Sequence, residues 1–400
     1  MILSGIRVLD AGSFIAGPAA ATVMGDFGAE VIKIEPPEGD PYRQLHKAPG
    51  NPESDRDYCW IVDSRNKQSL ALDLKRPEAR EVMARLVRGA DVFLTNLPLD
   101  VRARLGIGWE DLEPINDRLI YASLTAYGET GPEANKTGFD STAWWARSGL
   151  MDNVRSSPDA PPARSLPGMG DHATAMALFG AIMLGLYRRE RTGKGGMVAT
   201  SLMANGLWSN ALLAQAMLCG APFTLRPPRE QALNALNNLY QAGDGRWFML
   251  VLVSEERQWP AFVRALERPD LAEDPRFTTK DARHDNAQAL IAELDRIFAT
   301  RSYAEWRTRL DAAGVTFGGV GKLQDIEEDR QMLESGALRP LQDPEAGARL
   351  TIDSPVTIAG TAKQPAGPAP RIGEHSDAVL RSCGYDDATI AELRRAGVIR

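Results

Sequence analysis

The residues of this chain that could do chemistry are few, and their spacing excludes most familiar sites. Gly168-Met169-Gly170-Asp171-His172-Ala173 stands ahead of a long apolar stretch. Asp171 is its one carboxylate, and the flanking glycines let a ligand approach closely. Read alone, Asp171 is a helix N-cap, where its oxygens accept first-turn amides. Read as chemistry, a carboxylate at a helix N-terminus stays ionised and can act as a nucleophile. The segment also matches a loose dinucleotide fingerprint, but Pro161, Pro162 and Pro167 precede it where a strand is required. Arg191-Thr192-Gly193-Lys194-Gly195 is no phosphate loop, because Gly rather than Ser or Thr follows Lys194. Neither HExxH nor GxSxG occurs. Histidines 46, 172, 284 and 375 and Cys59, Cys219 and Cys383 show no metal-ligand spacing, so no metal is expected.

The elements that must hold Asp171 read as an α/β fold. Short β-rich runs at Ile6–Asp10, Glu30–Glu35, Ser69–Leu74, Asp91–Asn96 and Leu119–Leu124 alternate with helical patterns near 18–27 and 77–88. That alternation predicts an open, mainly parallel, Rossmann-like sheet with its ligand at the carboxyl ends of the strands. The middle, about 142–219, reads as helical. Its core, Asp171–Arg191, is apolar nearly all round and so is expected to be buried on most sides. Asn238–Gln241 and Trp247–Val253 flank a Gly243-Asp244-Gly245 turn and predict a hairpin. Helical patterns follow at 255–266 and 287–299. The division expected is a large domain over 1–224, a smaller α+β domain over 225–325, and a segment over 326–400 that returns to the large domain.

Composition limits the partners. Of 400 residues, 46 are basic and 53 acidic, which disfavours a nucleic-acid ligand. The apolar run Ala173–Tyr187 is shorter than the ~20 residues that span a bilayer, so no membrane partner is expected. Met1–Gly5 has no basic region ahead of an apolar one, so no signal peptide is expected. Sparse, unpaired cysteines fit a reducing cytoplasm.

Ordered landmarks then define a resemblance. They are Gly5–Asp10 with Ala16-Gly17-Pro18, Gly28–Glu35, Arg65–Lys75, Ala90–Asn96 and Arg104-Leu105-Gly106. Gly170-Asp171, Arg191–Gly195, Asp244–Trp247 and Gly373–Asp377 follow in the same order. Together they resemble the family III CoA-transferases, the formyl-CoA transferase or carnitine-dehydratase group. The resemblance implies a homodimer of interlocked rings, and CoA as a co-substrate with no permanently bound cofactor. It implies Asp171 as the covalent nucleophile in CoA transfer from an acyl-CoA to a free carboxylic acid. It places Ile15 and Ala16 beside pantetheine. It makes Leu72, Lys75, Asn96, Arg104 and Lys136 CoA-binding positions. Two departures stand out. Pro36 replaces an expected Arg, with Arg43 as the substitute phosphate contact. No Gly-rich cover is found, since 221–245 carries only Gly243 and Gly245.

The family also contains acyl-CoA racemases, whose His lies in a Gly-His-Asp triplet. Here the triplet is Gly138-Phe139-Asp140, and Phe139 carries no proton. His172 and Asp140 are the remaining groups that could serve. A racemase or epimerase, or a non-catalytic acyl-CoA-binding protein, are therefore the alternatives. Trp144, Trp145, Met169 and Phe179 are expected to keep water from the reaction. The two tryptophans also suggest a pocket for a bulky acyl group.

Overall fold

A computed structural model describes residues 1–400. Its largest sheet has six parallel strands: β1 (Arg7–Asp10), β2 (Glu30–Glu35), β3 (Gln68–Ala71), β4 (Val92–Thr95), β5 (Ile120–Thr125) and β6 (Gly196–Ser201). Their spatial order is β3-β2-β1-β4-β5-β6. The order reverses between β1 and β4, and the loops after those two strands part to open a crevice there. Strands β4 and β5 are buried along their whole length, as parallel strands covered on both faces must be.

β6 lies inside the stretch read from sequence as helical. Gly196-Met197-Val198-Ala199-Thr200-Ser201 is an edge strand, partly open to solvent, without the aliphatic run that marked the inner strands. Gly195 permits its docking, because a Cβ there would lie 2.1 Å from the Leu119 carbonyl oxygen.

Two cores flank the sheet. One packs helix α1 (Ala16–Asp26) and the long helix Met169–Thr192 against Val8, Val31, Leu94 and Ile120. The other joins the helix Ala79–Arg88 to residues far along the chain, Val379, Leu380, Ile390, Val398 and Ile399. That late segment closes on β3. Asp73 donates its amide to the Val398 carbonyl at 2.8 Å, and His375 donates to that of Ser69 at 3.0 Å.

The long helix has 24 residues and is long and apolar enough to cross a membrane by length and composition. It instead lines the first core through Ala175, Leu178, Ile182 and Leu186. It is not buried on most sides as expected: Leu184 and Tyr187 project into solvent. Arg189 anchors its end to Asp91 at 2.8 Å.

The chain divides into two compact units. The first comprises Met1–Met151, Arg164–Gly220 and Asp329–Arg400, and the second Asp152–Ala163 and Ala221–Glu328. The boundaries drawn from sequence, 224/225 and 325/326, fall a few residues from these, and they overlook the excursion at 152–163. The second unit holds an antiparallel sheet of β7 (Asn237–Gln241), β8 (Trp247–Val251) and β9 (Phe317–Gly319). Phe248, Phe262, Phe298 and Trp306 fill its own core.

Candidate active site

A pocket of about 490 Å³ opens at the carboxyl ends of the parallel strands. Loops after β1 (Ser13–Ile15) and β4 (Asn96–Pro98) form one wall, and Phe139–Ser141 another. Gly168 and Asp171 complete it from the start of the long helix. The volume suits a small-molecule ligand, and most of the lining is apolar.

A buried ionic lattice fixes the first wall. Asp10, at the end of β1, accepts from Lys67 Nζ at 2.9 Å and from the Gly12 amide at 3.1 Å. Lys33 pairs with Asp40 at 2.7 Å and donates to the Gly12 carbonyl. Asp40 then accepts from the Ser13 hydroxyl at 2.9 Å and the Phe14 amide at 3.3 Å. Burial alone would depress the Lys33 ammonium, but Asp40 and Asp10 outweigh it and raise its pKa. Burial alone would raise the Asp40 carboxyl, but Lys33, the Tyr42 amide and Ser13 hold it below the usual range. Asn96 clasps the same loop from β4. Its Oδ1 accepts from the Ser13 amide and its Nδ2 donates to the Ser13 carbonyl, both at 2.8 Å. These bonds hold Phe14 at φ 58°, a conformation costly for a bulky side chain. The Phe14 ring meets Phe139 edge-on at 5.8 Å.

Asp171 enters from the opposite side. It is the third residue of the long helix, not its cap. The N-cap is Gly168, at φ 75° and without a side-chain bond. Gly170 is required by space, because a Cβ there would stand 2.6 Å from the Trp144 ring. Trp144 and Trp145 stack on one another at 5.7 Å in the core and do not line the pocket, contrary to the bulky-acyl expectation. They lie near the end of a π-helical turn, Asp140–Ala146, whose first residue accepts from the Gly170 amide at 3.3 Å. Met169 is exposed and Phe179 packs at the edge of the first core.

Asp171 does not keep an ordinary carboxylate's acidity. Burial, with Asp140 and Asp63 adding like charge, raises its pKa to about 7 against the pull of His172. The helix terminus alone does not keep it fully ionised at neutral pH. His172 Nδ1 lies 3.1 Å from the Gly168 carbonyl and Nε2 lies 3.0 Å from Asp63 Oδ1. Asp63, from helix α2 (Tyr58–Ser64), also accepts from the Tyr42 hydroxyl.

Five residues singled out from sequence meet at this pocket: Ile15, Ala16, Asn96, Lys136 and Asp171. Lys136 is also paired with Glu133 at 2.7 Å. Three do not line it. Leu72 lies in the second core, Lys75 faces solvent, and Arg104 is a surface cation 4.0 Å from Asp100. Arg43 does not stand free to replace the arginine missing at Pro36. It makes two bonds to Glu35, at 2.7 and 2.9 Å, donates to the Pro370 carbonyl and stacks on Trp60. Sequence reasoning missed Asp63, Tyr42 and Arg164. The first two reach the site only through tertiary packing, and no local motif marks them.

Comparison with known proteins accords with this arrangement. The model of CoA-transferase family III matches residues 3–376. The chain is 29% identical to (R)-2-hydroxy-4-methylpentanoate CoA-transferase of Clostridioides difficile, covering 100% of both chains. It is 31% identical to the succinyl-CoA:glutarate CoA-transferase of Mus musculus, over 99% of this chain and 90% of that one. A crystal structure of a CAIB/BAIF family protein from Brucella suis superposes with a TM-score of 0.83 at 27% identity, covering 95% and 99% of the two chains. A pocket at the strand ends, a lone carboxylate at its helix terminus and this full-length similarity agree: the chain belongs to CoA-transferase family III and is a CoA-transferase.

Proposed function

We propose that this chain moves CoA from an acyl-CoA thioester to a free carboxylic acid through covalent intermediates on Asp171. The observation that carries the reading is Asp171 itself: a half-buried carboxylate on the pocket wall, with a pKa raised to about 7. Raised basicity makes it a better nucleophile while leaving a large ionised fraction near neutral pH. The Asp171 carboxylate attacks the thioester carbonyl and CoA leaves as thiolate, giving a mixed anhydride. The thiolate attacks the Asp171 carbonyl, releasing the donor acid and leaving an aspartyl-CoA thioester. The acceptor carboxylate attacks that carbonyl and expels the thiolate, forming a second anhydride. The thiolate then attacks the acceptor's acyl carbon, releasing the new acyl-CoA and restoring Asp171. Each step exchanges one acyl bond for another, so the activated acyl bond is preserved provided water is kept out.

Pantetheine runs along Ile15 and Ala16, with Asn96 and Lys136 on the same pocket, in this reading. Lys75, Arg104 and the Leu72 main chain would serve only the distal, nucleotide end of CoA. The setting is a reducing cytoplasm, in keeping with three free cysteines.

Incubation with a chiral 2-methylacyl-CoA in heavy water tests the reaction class. Phe139 supplies no base at the pocket wall, and both ring nitrogens of His172 face acceptors. The expected result is CoA exchange that requires an acceptor acid, with no deuterium at the α-carbon by mass spectrometry. Acceptor-independent deuterium uptake with loss of chirality would overturn transfer in favour of racemisation.

The working form is a homodimer in this proposal. Trp208, Leu212 and Leu218 are 80%, 82% and 81% exposed on the consecutive helices Leu202–Ser209 and Ala211–Leu218. We assign this apolar face to a second copy, because the family resemblance implies a homodimer and a face so apolar calls for a cover. Trp208→Glu combined with Leu212→Glu should lower the mass measured by light scattering from about two chains toward one. An unchanged dimer would place the interface elsewhere.

A further inference from the structure

His172 follows the nucleophile on the long helix and is the cation whose charge acts on it, and its surroundings define what it can do. One ring nitrogen faces the Gly168 carbonyl at 3.1 Å and the other faces Asp63 at 3.0 Å. Both partners are acceptors. A neutral imidazole has only one N–H, so only the imidazolium satisfies both contacts. Asp63 is itself fixed, a buried residue of α2 that accepts from the Tyr42 hydroxyl. Gly168 cannot carry a side chain without crowding the ring: a Cβ there would lie 3.3 Å from Nδ1.

We propose that His172 is a positioning residue for the nucleophile, an imidazolium held between Asp63 and Gly168 whose charge sets the pH at which Asp171 becomes a working carboxylate. The proposal rests on Asp171 as nucleophile, the reading given above. With both N–H groups engaged, His172 has no proton to offer the substrate, so it acts through charge alone. The groups around the pair are Asp63, backed by the Tyr42 hydroxyl, and Asp140 from the π-helical turn, with Lys136 and Arg164 on the same pocket lining. The carboxylates among them push Asp171 toward its neutral form, and His172 opposes them. Partial burial works against the imidazolium, but Asp63, the Gly168 carbonyl and Asp171 outweigh it and raise its pKa to about 9. His172 is therefore charged across the range in which Asp171 ionises. The rise is what a charge-assisted bond to a fixed carboxylate produces.

The experiment is a kcat/KM profile for acyl-CoA from pH 5.5 to 9 in the wild type, His172→Gln and His172→Lys. Loss of one nearby cation should move the acid limb of His172→Gln up by about one pH unit. The loss in kcat/KM should then be roughly nine-fold at pH 6 and less than about two-fold at pH 9. His172→Lys should return the midpoint close to that of the wild type, because it restores charge without the ring. A uniform loss at every pH, or a midpoint unmoved in His172→Gln, would overturn the proposal and leave His172 a packing residue. Failure of the nucleophile reading is read separately. Wild-type enzyme incubated with acyl-CoA and borohydride should carry the reduced adduct on the Asp171 peptide. An unmodified peptide would remove the premise, whatever the profiles show.

Discussion

Asp171→Ala should lower CoA transfer by roughly 10⁴-fold or more, the scale of loss when a covalent nucleophile is removed. CoA affinity, measured by calorimetry, should change little, because in the proposed reaction Asp171 attacks the thioester and does not hold the nucleotide. Turnover within ten-fold of the wild type would refute the assignment. Asp171→Asn gives a second reading of the same residue. The Asp171 carboxyl has a folded-state pKa of about 7, well above its ordinary value. The folded state thus binds this proton more tightly than the unfolded one. Its contribution to stability is fully present below about pH 4 and is lost as pH rises through 7. At pH 8 the ionised group costs the fold on the order of a few kcal/mol. Asp171→Asn should therefore melt higher than the wild type by about 3–6 °C at pH 8, and near the wild type at pH 4. An inactive variant with no stability gain at pH 8 would show that the site is not strained in this way.

Lys33→Met should produce the largest structural effect. The Lys33 and Asp40 side chains are 0% and 2% exposed. Removing the ammonium strands a buried carboxylate and the Gly12 carbonyl together. Breaking such a pair costs about 3–5 kcal/mol, a loss of roughly 4–6 °C in melting temperature for a chain of this length. The damage should also reach function. Asp40 grips Ser13 and Phe14, which carry the pocket wall beside Ile15. KM for acyl-CoA should rise about ten-fold while kcat falls less, since binding is weakened before chemistry. Melting and KM both near wild type would mean that Asn96 alone holds the loop.

How far the sequence revealed this arrangement depended on how local each signal was. Strands β1 to β5 were legible because aliphatic runs such as Val92-Phe93-Leu94 are bounded by Gly, Asn or Pro. β6 was not. As an edge strand it leaves Met197 exposed and follows two glycines that also end the helix. Asp171 was legible from its glycines and position, but its acidity was not. That depends on Asp63, 108 positions earlier in the chain, and on Asp140. The Asp63–His172 bond joins residues 109 apart, so no window of sequence contains it. Trp144 and Trp145 misled because a buried aromatic pair and a pocket-lining pair look alike in sequence. Leu72 follows directly on β3, so its side chain enters the second core while its main chain stays at a strand end, a division that sequence does not display.

The closing of the late segment on β3 has a consequence for how the protein is made. Every residue lining the pocket lies between Ser13 and Leu202. The second core, however, needs Val379, Leu380, Ile390, Val398 and Ile399. At ribosomal speed, roughly 10–40 s separate the emergence of Leu202 from that of Ile399. Through that interval the nascent chain has every residue that lines the pocket but lacks part of the second core. Leu70, Leu86 and Phe93 wait without their cover, and β3 offers an open edge to any neighbouring strand. Slowing translation late in the message would lengthen the exposure of these apolar residues.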